Sequence, residues 1–525
     1  FLLSSANLLG QSSNYFFLDW NVVDGVPVVN NSDSYLLDFN QTFDSYTTDF
    51  EIEVKEAVFV NCNASEISFL ENQNLGSNVR LVHNFGVERK QLRIKGSIFP
   101  FVFREGKFKK LVFCELSVTF NCLPEARSSL ASAENSVLST GDWFKISVTE
   151  NGIHRLTYQN LLDLGVNVQS INPNNIRLYG RPGGMLPVLN SEPRIDDLEE
   201  LSIQVSGQDD GSFDENDYVI FYGQSPNQWQ ESSGKFSRQM HLFDDKTYYF
   251  LTTNLGIGKR ISNQSSESSF DTVITTFNDY QIHENDEVNF IKSGKTWYGD
   301  VFDIVNNRTF NFNFPDRIGV SKLKLVLAAR ASSPFSSTFT INSPGMTEEV
   351  SSISGVYGSY NYANTKTIEK EVNPNSDNIQ VQLSFSSTSS SGKGWIDYIE
   401  VNAERELKMN ASQMPFRSLA SVRPESVSQF EISNATSSLT IWDVSNPLSP
   451  KNQSLSVEGS KAIFSHTTDS LKEFIAFTGG FKNVELNGKV SNQNLHAIKD
   501  IDYLVVSHPT FWTEANRLAN FHRTK

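Results

Sequence analysis

GDWFKISVTENGIHRLTYQNLLDLGV (141–166) is the stretch on which the reading of this chain turns. Apolar and polar residues alternate through WFKISV and again through IHRLTY, the period of a half-buried strand. The intervening ENG supplies turn residues, so the pair predicts a β-hairpin. QNLLDLG then predicts one short helix closed by Gly165, a residue at ease in the left-handed backbone that ends helices. Further along, NNIRLYG, ELSIQVSG and DYVIFYG repeat the strand pattern, and RPGGMLP is a tight loop after the first of them.

The same pattern extends in both directions. Residues 14–122 alternate in short runs, clearest in KQLRIKGSIFPFVFREGKFKKLVFCELSVTF, where FREGKF is a hairpin turn with Gly106 at its tip. LPEARSSLASAENSVLSTG (123–141) loses both alternation and aromatics and reads as a linker. From about 240 to 410, short β-rich runs between Ser- and Asn-rich turns predict a β-sandwich, and β character continues through a connecting region, 411–497. No repeat period emerges. At the end, IDYLVVSHPTFWTEANRLANFHRTK (501–525) predicts a buried strand over Tyr503–Val506 and then an amphipathic helix with Pro509 near its start. The expected fold class is mainly β, with several sandwich- or barrel-like domains, ending in the first βα unit of an α/β domain. The expected organisation is 1–13, 14–122, 123–141, 142–239, 240–410, 411–497 and 498–525.

Length and charge bound the function. A chain of 525 residues exceeds one hydrophobic core and implies about three or four domains. A net charge of −16 lacks the basic footprint that nucleic acid requires. The opening FLLSSANLLGQ has no Met and reads as the tail of a secretory signal (1–13), with a first buried strand as the alternative. Cys62, Cys114 and Cys122 are the three cysteines. Cys114 and Cys122 on one strand would lie about 26 Å apart, beyond disulfide reach. Cys62 could meet either across a sheet, and buried free thiols are the favoured reading.

Candidate sites are few. SGQDDGSFDENDYVIFYG (206–223) places Asp210, Asp214 and Asp217 on the fifth, ninth and twelfth positions of a calcium loop centred on Gly211. Ser206 and Gln208 stand where carboxylates are needed, so a turn is favoured over calcium. RPGGMLP and the Gly-Lys-Thr of KSGKTW are read as chance matches to phosphate loops. Trp229, Trp297 and Trp442 form either a sugar-stacking platform or core. His508 sits at the carboxyl end of a predicted strand, where α/β enzymes place catalytic groups, but a helix-capping role is favoured.

Taken in order, the strings opening this section, with NPNNIRLYGRPGGMLP, RIDDLEELSIQVSGQDDGSFDENDYVIFYGQ, ENDEVNFIKSGKTWYGD, GWIDYIEVNAERELKM, QMPFRS and IWDVSNP, resemble the type IX secretion system sortases of Bacteroidetes. These are gingipain-type cysteine peptidases, and DYLVVSHPTFWTEANRLANFHR resembles the opening strand and helix of their caspase-like catalytic domain. The resemblance implies an exported, outer-membrane-associated enzyme that removes the C-terminal secretion domain of cargo. The acyl group then passes to anionic lipopolysaccharide or to water. It implies the PorV outer-membrane barrel as partner. It places the catalytic His and Cys outside these residues, with Cys62, Cys114 and Cys122 in the wrong domain for the nucleophile. The competing expectation is a non-enzymatic surface adhesin or carbohydrate-binding β-protein.

Overall fold

In the computed structural model the strand Trp143–Val148 lies between two partners distant in sequence. Thr247–Thr252 flanks one side and Glu485–Val490 the other, both antiparallel. The structure describes residues 11–17, 20–23, 26–29, 36–43, 50–71, 75–88, 91–120, 133–189, 192–292, 294–357 and 361–524. These fall into two compact units, 1–132 and 133–525. The chain is mainly β, as the alternation predicts.

In the first unit, Gln11–Phe17, Lys107–Phe120 and Phe50–Asn61 form one sheet, and Leu37–Phe43, Gln91–Phe99 and Arg80–Glu88 another. Leu92, Ile94, Ile98, Leu111, Cys114 and Leu116 bury their side chains in its core. The predicted FREGKF hairpin forms: Phe103 faces Phe108 and Arg104 faces Lys107. Glu105 and Gly106 both take positive φ, the two-residue turn whose twist suits a hairpin. One helix was passed over in the alternation, α1 (Ala64–Leu70). Its signal is the capping box of Asn63 and Glu66, each side chain bonding the other's backbone N–H. Residues 11–13 begin a strand, and residues 1–10 of the expected signal tail lie outside the described residues.

The second unit corrects the hairpin reading of 141–166. Trp143–Val148 and Gly152–Thr157 do not pair with each other. The second strand joins Tyr218–Gly223 and Gln204–Ser206 in the opposing sheet, so ENG is an arch between two layers. Asn151 holds that arch by accepting from the Ser225 N–H at 2.7 Å. Phe144, Ile146, Val148 and Leu156 meet in one core, while Trp143 and Ile153 are buried in two others, so these strands are covered on both faces and not half-buried as the alternation predicts. The short helix forms as α2 (Tyr158–Asp163). At its end the Gly165 N–H bonds the Leu162 carbonyl and the Val166 N–H the Leu161 carbonyl, with Gly165 at φ 85°.

Two further sandwiches are threaded through this module. Thr276–Glu284, Lys393–Glu406, Arg317–Arg330 and Asn364–Val372 face Asn307–Asn313, Asn378–Ser387, Ser336–Asn342 and Glu349–Ser354 across a Phe-, Leu- and Ile-rich core. The other sandwich combines Ser262–Gln264 and Thr272–Ile274 with strands from 413 to 477. Residues 247–252 and 485–490 therefore serve the module that begins at 142, and the stretch 411–497 is largely a sandwich. Residues 133–140 of the expected linker are part of this unit: Leu138 is buried with Trp143 and Tyr179, and the Ser136 N–H bonds Asn494.

The modules of this unit meet at Arg417, which is only 3% exposed. Its guanidinium donates to Glu473 at 2.6 Å and to the Asn278 carbonyl at 3.2 Å, and lies 4.7 Å from the Tyr280 ring centre. Removing the carboxylate strands a buried cation. Glu473→Ala is expected to cost about 3 kcal/mol in urea denaturation. Lys461→Ala, which breaks the exposed pair with Glu431, is expected to cost less than about 1 kcal/mol.

Candidate functional site: an acid-lined cleft under a surface hairpin

The hairpin Gln228–Ser232/Lys235–Gln239 lies on the outer face of the sandwich sheet, where polar residues would otherwise meet water. Asn402 imitates a strand for it, accepting from the Phe236 N–H at 2.7 Å and donating to the Phe236 carbonyl at 2.9 Å. The Arg238 N–H donates to Glu400 at 2.8 Å, leaving Glu400 2% exposed. Trp229 stacks on Tyr280 with ring centres 4.0 Å apart. The strand face that alternation marks as outward is thus covered.

Beside the hairpin is a cleft of 240 Å³ lined by Arg238, Glu284, Trp297, Asp397, Tyr398 and Glu400 among others. Arg238 pairs with Glu284, and Lys324 approaches Glu400 at 3.5 Å. Burial, opposed by Arg238 and reinforced by Asp286, Asp397 and Glu400, pushes the Glu284 carboxyl up to about 7. Burial and then Asp286 push Asp397 up to about 6, against Lys324. A carboxyl half-protonated near neutral pH can give or take a proton. The cleft lining holds Lys295 and Thr296 but neither cysteine nor histidine, so the thiol–imidazole pair of a cysteine peptidase is not assembled there. Sequence reading missed these acids; their one signal is that Asp397 and Glu400 interrupt the apolar run WIDYIEV.

The acids read as a calcium candidate are held as a turn. Asp210 Oδ1 accepts from the Ser212 N–H at 2.9 Å, and Asp217 Oδ2 from the Asp214 N–H at 2.7 Å. Gly207, at φ 84°, leaves room for the Asp217 carboxylate, which an added Cβ would meet at 1.7 Å. Gln208, on the loop's third position, already receives Arg260 at 2.9 Å. Among the described residues, no group of three or more His, Cys, Asp or Glu is arranged to hold a metal ion.

The remaining candidates separate cleanly. Trp442 is fully buried and Trp229 is stacked, leaving Trp297 exposed at 45%. RPGGMLP leads into no helix, and the Gly183 N–H is taken by Gln224. Cys62 and Cys114 are buried free thiols. Burial, then Glu66, pushes Cys62 up to about 11, and burial pushes Cys114 up to about 12, the reverse of an activated nucleophile. Cys122 lies outside the described residues.

His508 accepts from the Thr510 N–H at 3.2 Å and so caps the turn Pro509–Phe511 that leads into α3 (Trp512–Arg523). Tyr503–Val506 is not a strand, a correction to the βα reading. It forms no β-ladder with any strand among the described residues; the Tyr503 ring centre lies 4.1 Å from that of His522 in the following helix, and Leu504 and Val506 are 71% and 90% exposed.

These features define a multi-module antiparallel β-protein whose sandwiches are inserted into an interrupted first module. The structure is similar to dimeric latent PorU from Porphyromonas gingivalis, with a TM-score of 0.65 and 22% identity, covering 75% of this chain. The fold is PorU-like. The chain spans 37% of the length of that protein. Likeness to the Cry4Aa toxin of Bacillus thuringiensis (10% identity, 49% of this chain and 58% of that one) has a TM-score of only 0.18. For the isomalto-dextranase of Arthrobacter globiformis T6 (9% identity, 51% and 36%) it is 0.16, and neither bears on function. No protein-family model and no curated relative matches the chain.

Two measurements test this reading. If the 206–217 segment is a turn, Asp217→Asn retains the acceptor and melts with the parent in either calcium or EGTA, whereas Asp217→Ala loses about 1 kcal/mol. For the cleft, a folded-state pKa above the unfolded one means Glu284 favours the fold at low pH, and this contribution is lost as pH rises through about 7. The melting temperature of Glu284→Gln relative to the parent is therefore expected to rise between about pH 5 and pH 8. Parallel curves would show an ordinary surface carboxylate.

Proposed function

We propose that this chain is the β-rich, non-catalytic portion of a type IX secretion system sortase, a cell-surface cysteine peptidase. The observation that carries the reading is the PorU-like fold over 75% of the chain. In such an enzyme a thiolate attacks the scissile carbonyl of the cargo, the peptide C–N bond breaks as a histidine protonates the departing amine of the C-terminal domain, and a thioester is left. The thioester then passes to an amine on anionic lipopolysaccharide, or to water. Nothing in the buried, unactivated Cys62 and Cys114 suits that role, which agrees with a nucleophile elsewhere. The chain then positions the catalytic domain, receives cargo C-terminal domains and docks on the PorV outer-membrane barrel. The exposed apolar side chains of Leu504, Val506, Phe511, Trp512 and Phe521 suit a segment covered by further α/β structure. Two of the three candidate stacking tryptophans are occupied within the fold, so the sugar-binding alternative loses its platform.

Deletion of the gene from its host is expected to leave secreted cargo with the C-terminal domain attached, seen as a mass increase in surface and medium fractions. Unchanged cargo processing would overturn the reading. Purified residues 1–525 are expected to leave a cargo tail uncut, and cleavage by them would place the nucleophile within this chain.

A further inference from the structure

A second concavity shares the segment 240–243 with the acid-lined cleft, Met240 and Leu242 lining the cleft and His241 and Phe243 lining this one, and it has the opposite electrostatic character. It encloses 340 Å³ between the strand Trp143–Val148, the loop after Arg177–Gly180 and the segment leading into Thr247–Thr252. Lys145, Arg181 and Lys246 line it with Phe243, Tyr248 and Phe250. Lys145 Nζ rests 3.6 Å from the Tyr248 ring centre. Arg181 donates one terminal N–H to the Gly184 carbonyl at 3.0 Å. Neither cation has a carboxylate within ion-pair distance among the described residues, whereas Lys246 pairs with Glu485 at 2.8 Å. The one acid in the lining, Asp244, accepts from the Lys246 N–H at 3.1 Å and from Tyr248 at 3.4 Å.

Two half-buried cations without counter-charges are conspicuous in a chain of net charge −16. Both line one concavity whose single carboxylate, Asp244, is engaged by the Lys246 N–H and Tyr248, so an entering anion would meet two cations not already ion-paired. Beside them stands an apolar rim: Phe243 is 82% exposed, Val188 75%, Leu189 59% and Leu186 47%. The rim and the pocket are joined, since the Leu242 N–H lies 3.5 Å from the Met185 sulfur. Charge complementarity selects a carboxylate for the floor, and the aromatic walls and rim select a bulky apolar neighbour beside it. A membrane surface would be met by a broad array of cations, not by two in a small concavity.

We propose that this pocket binds an acidic-apolar peptide segment of a partner protein, its Asp or Glu carboxylate seated between Lys145 and Arg181 and the adjoining apolar side chain against Phe243 and Tyr248. The site is independent of the peptidase reading and would stand if that reading failed.

The test uses the full 525-residue chain and a fluorescein-labelled heptapeptide with a central Asp-Phe-Leu, followed by anisotropy. Saturable binding is expected, weakened about tenfold in the Asn-Phe-Leu counterpart and about tenfold in Lys145→Met and in Arg181→Met. Lys107→Met, in the other unit, is expected to bind as the parent does, and unchanged melting temperatures show that the variants are folded. Equal affinity for the two peptides, or no saturation up to about 1 mM, overturns the proposal. Capture by anionic phosphatidylglycerol vesicles or inorganic phosphate in place of the peptide overturns it equally.

Discussion

The strand Trp143–Val148 can be completed only when a segment more than three hundred residues later returns to it. Each of its long edges carries backbone donors and acceptors that need partners, and both partners are remote: Thr247–Thr252 and Glu485–Val490. The sandwich cores must therefore be compatible with a chain that leaves the first module after 252 and re-enters before 485. Loop closure of that length adds little entropy beyond a shorter one, so the arrangement is thermodynamically tolerable. Ile153, Ile220 and Tyr222 of the first module pack against Trp442, Val444 and Ile475 of an inserted sandwich, so the return is held by side chains as well as by the ladder.

That threading explains where chemistry gathers. The sandwich sheet must present an outward face, yet the surface hairpin lies across it, and Glu400 becomes buried by the act of covering. Glu400 accepts from the Arg238 backbone N–H and lies 3.5 Å from Lys324, while burial pushes the carboxyls of Glu284 and Asp397 nearby upward. The proton affinities in the cleft are thus a by-product of module docking.

Much of this was legible in the sequence wherever the determinant is local. FREGKF forms its hairpin because a two-residue turn leaves one geometry, and Gly165 ends α2 because the required φ is positive. His508 caps the turn before α3 through its own side chain. The ENG segment failed as a hairpin for a complementary reason: alternation fixes which face of a strand is buried, not which strand it bonds to. At 141–166 the hydrogen-bonding partners lie far downstream, so an arch and a hairpin have the same signature. Tyr503–Val506 failed similarly, since an apolar run states a demand for cover without supplying the neighbour that meets it. Glu284 comes from one strand, Asp397 and Glu400 from the strand paired with it, and Arg238 from the distant hairpin laid over them, so WIDYIEV shows two acids in an apolar run but nothing local announces the cluster.

The antiparallel partnership of Trp143–Val148 with Glu485–Val490 has a mechanical implication. Trp143 lies opposite Val490, and Asn492 and Asn494 bond back to Leu138, Gly141 and Ser136, so the polypeptide enters and leaves this module at one corner. Tension applied through the two flanking segments would peel the strands apart rung by rung from that corner, rather than load all rungs together in shear. The fold would yield there at low force, while the sandwiches inserted between 253 and 484 carried none of the load.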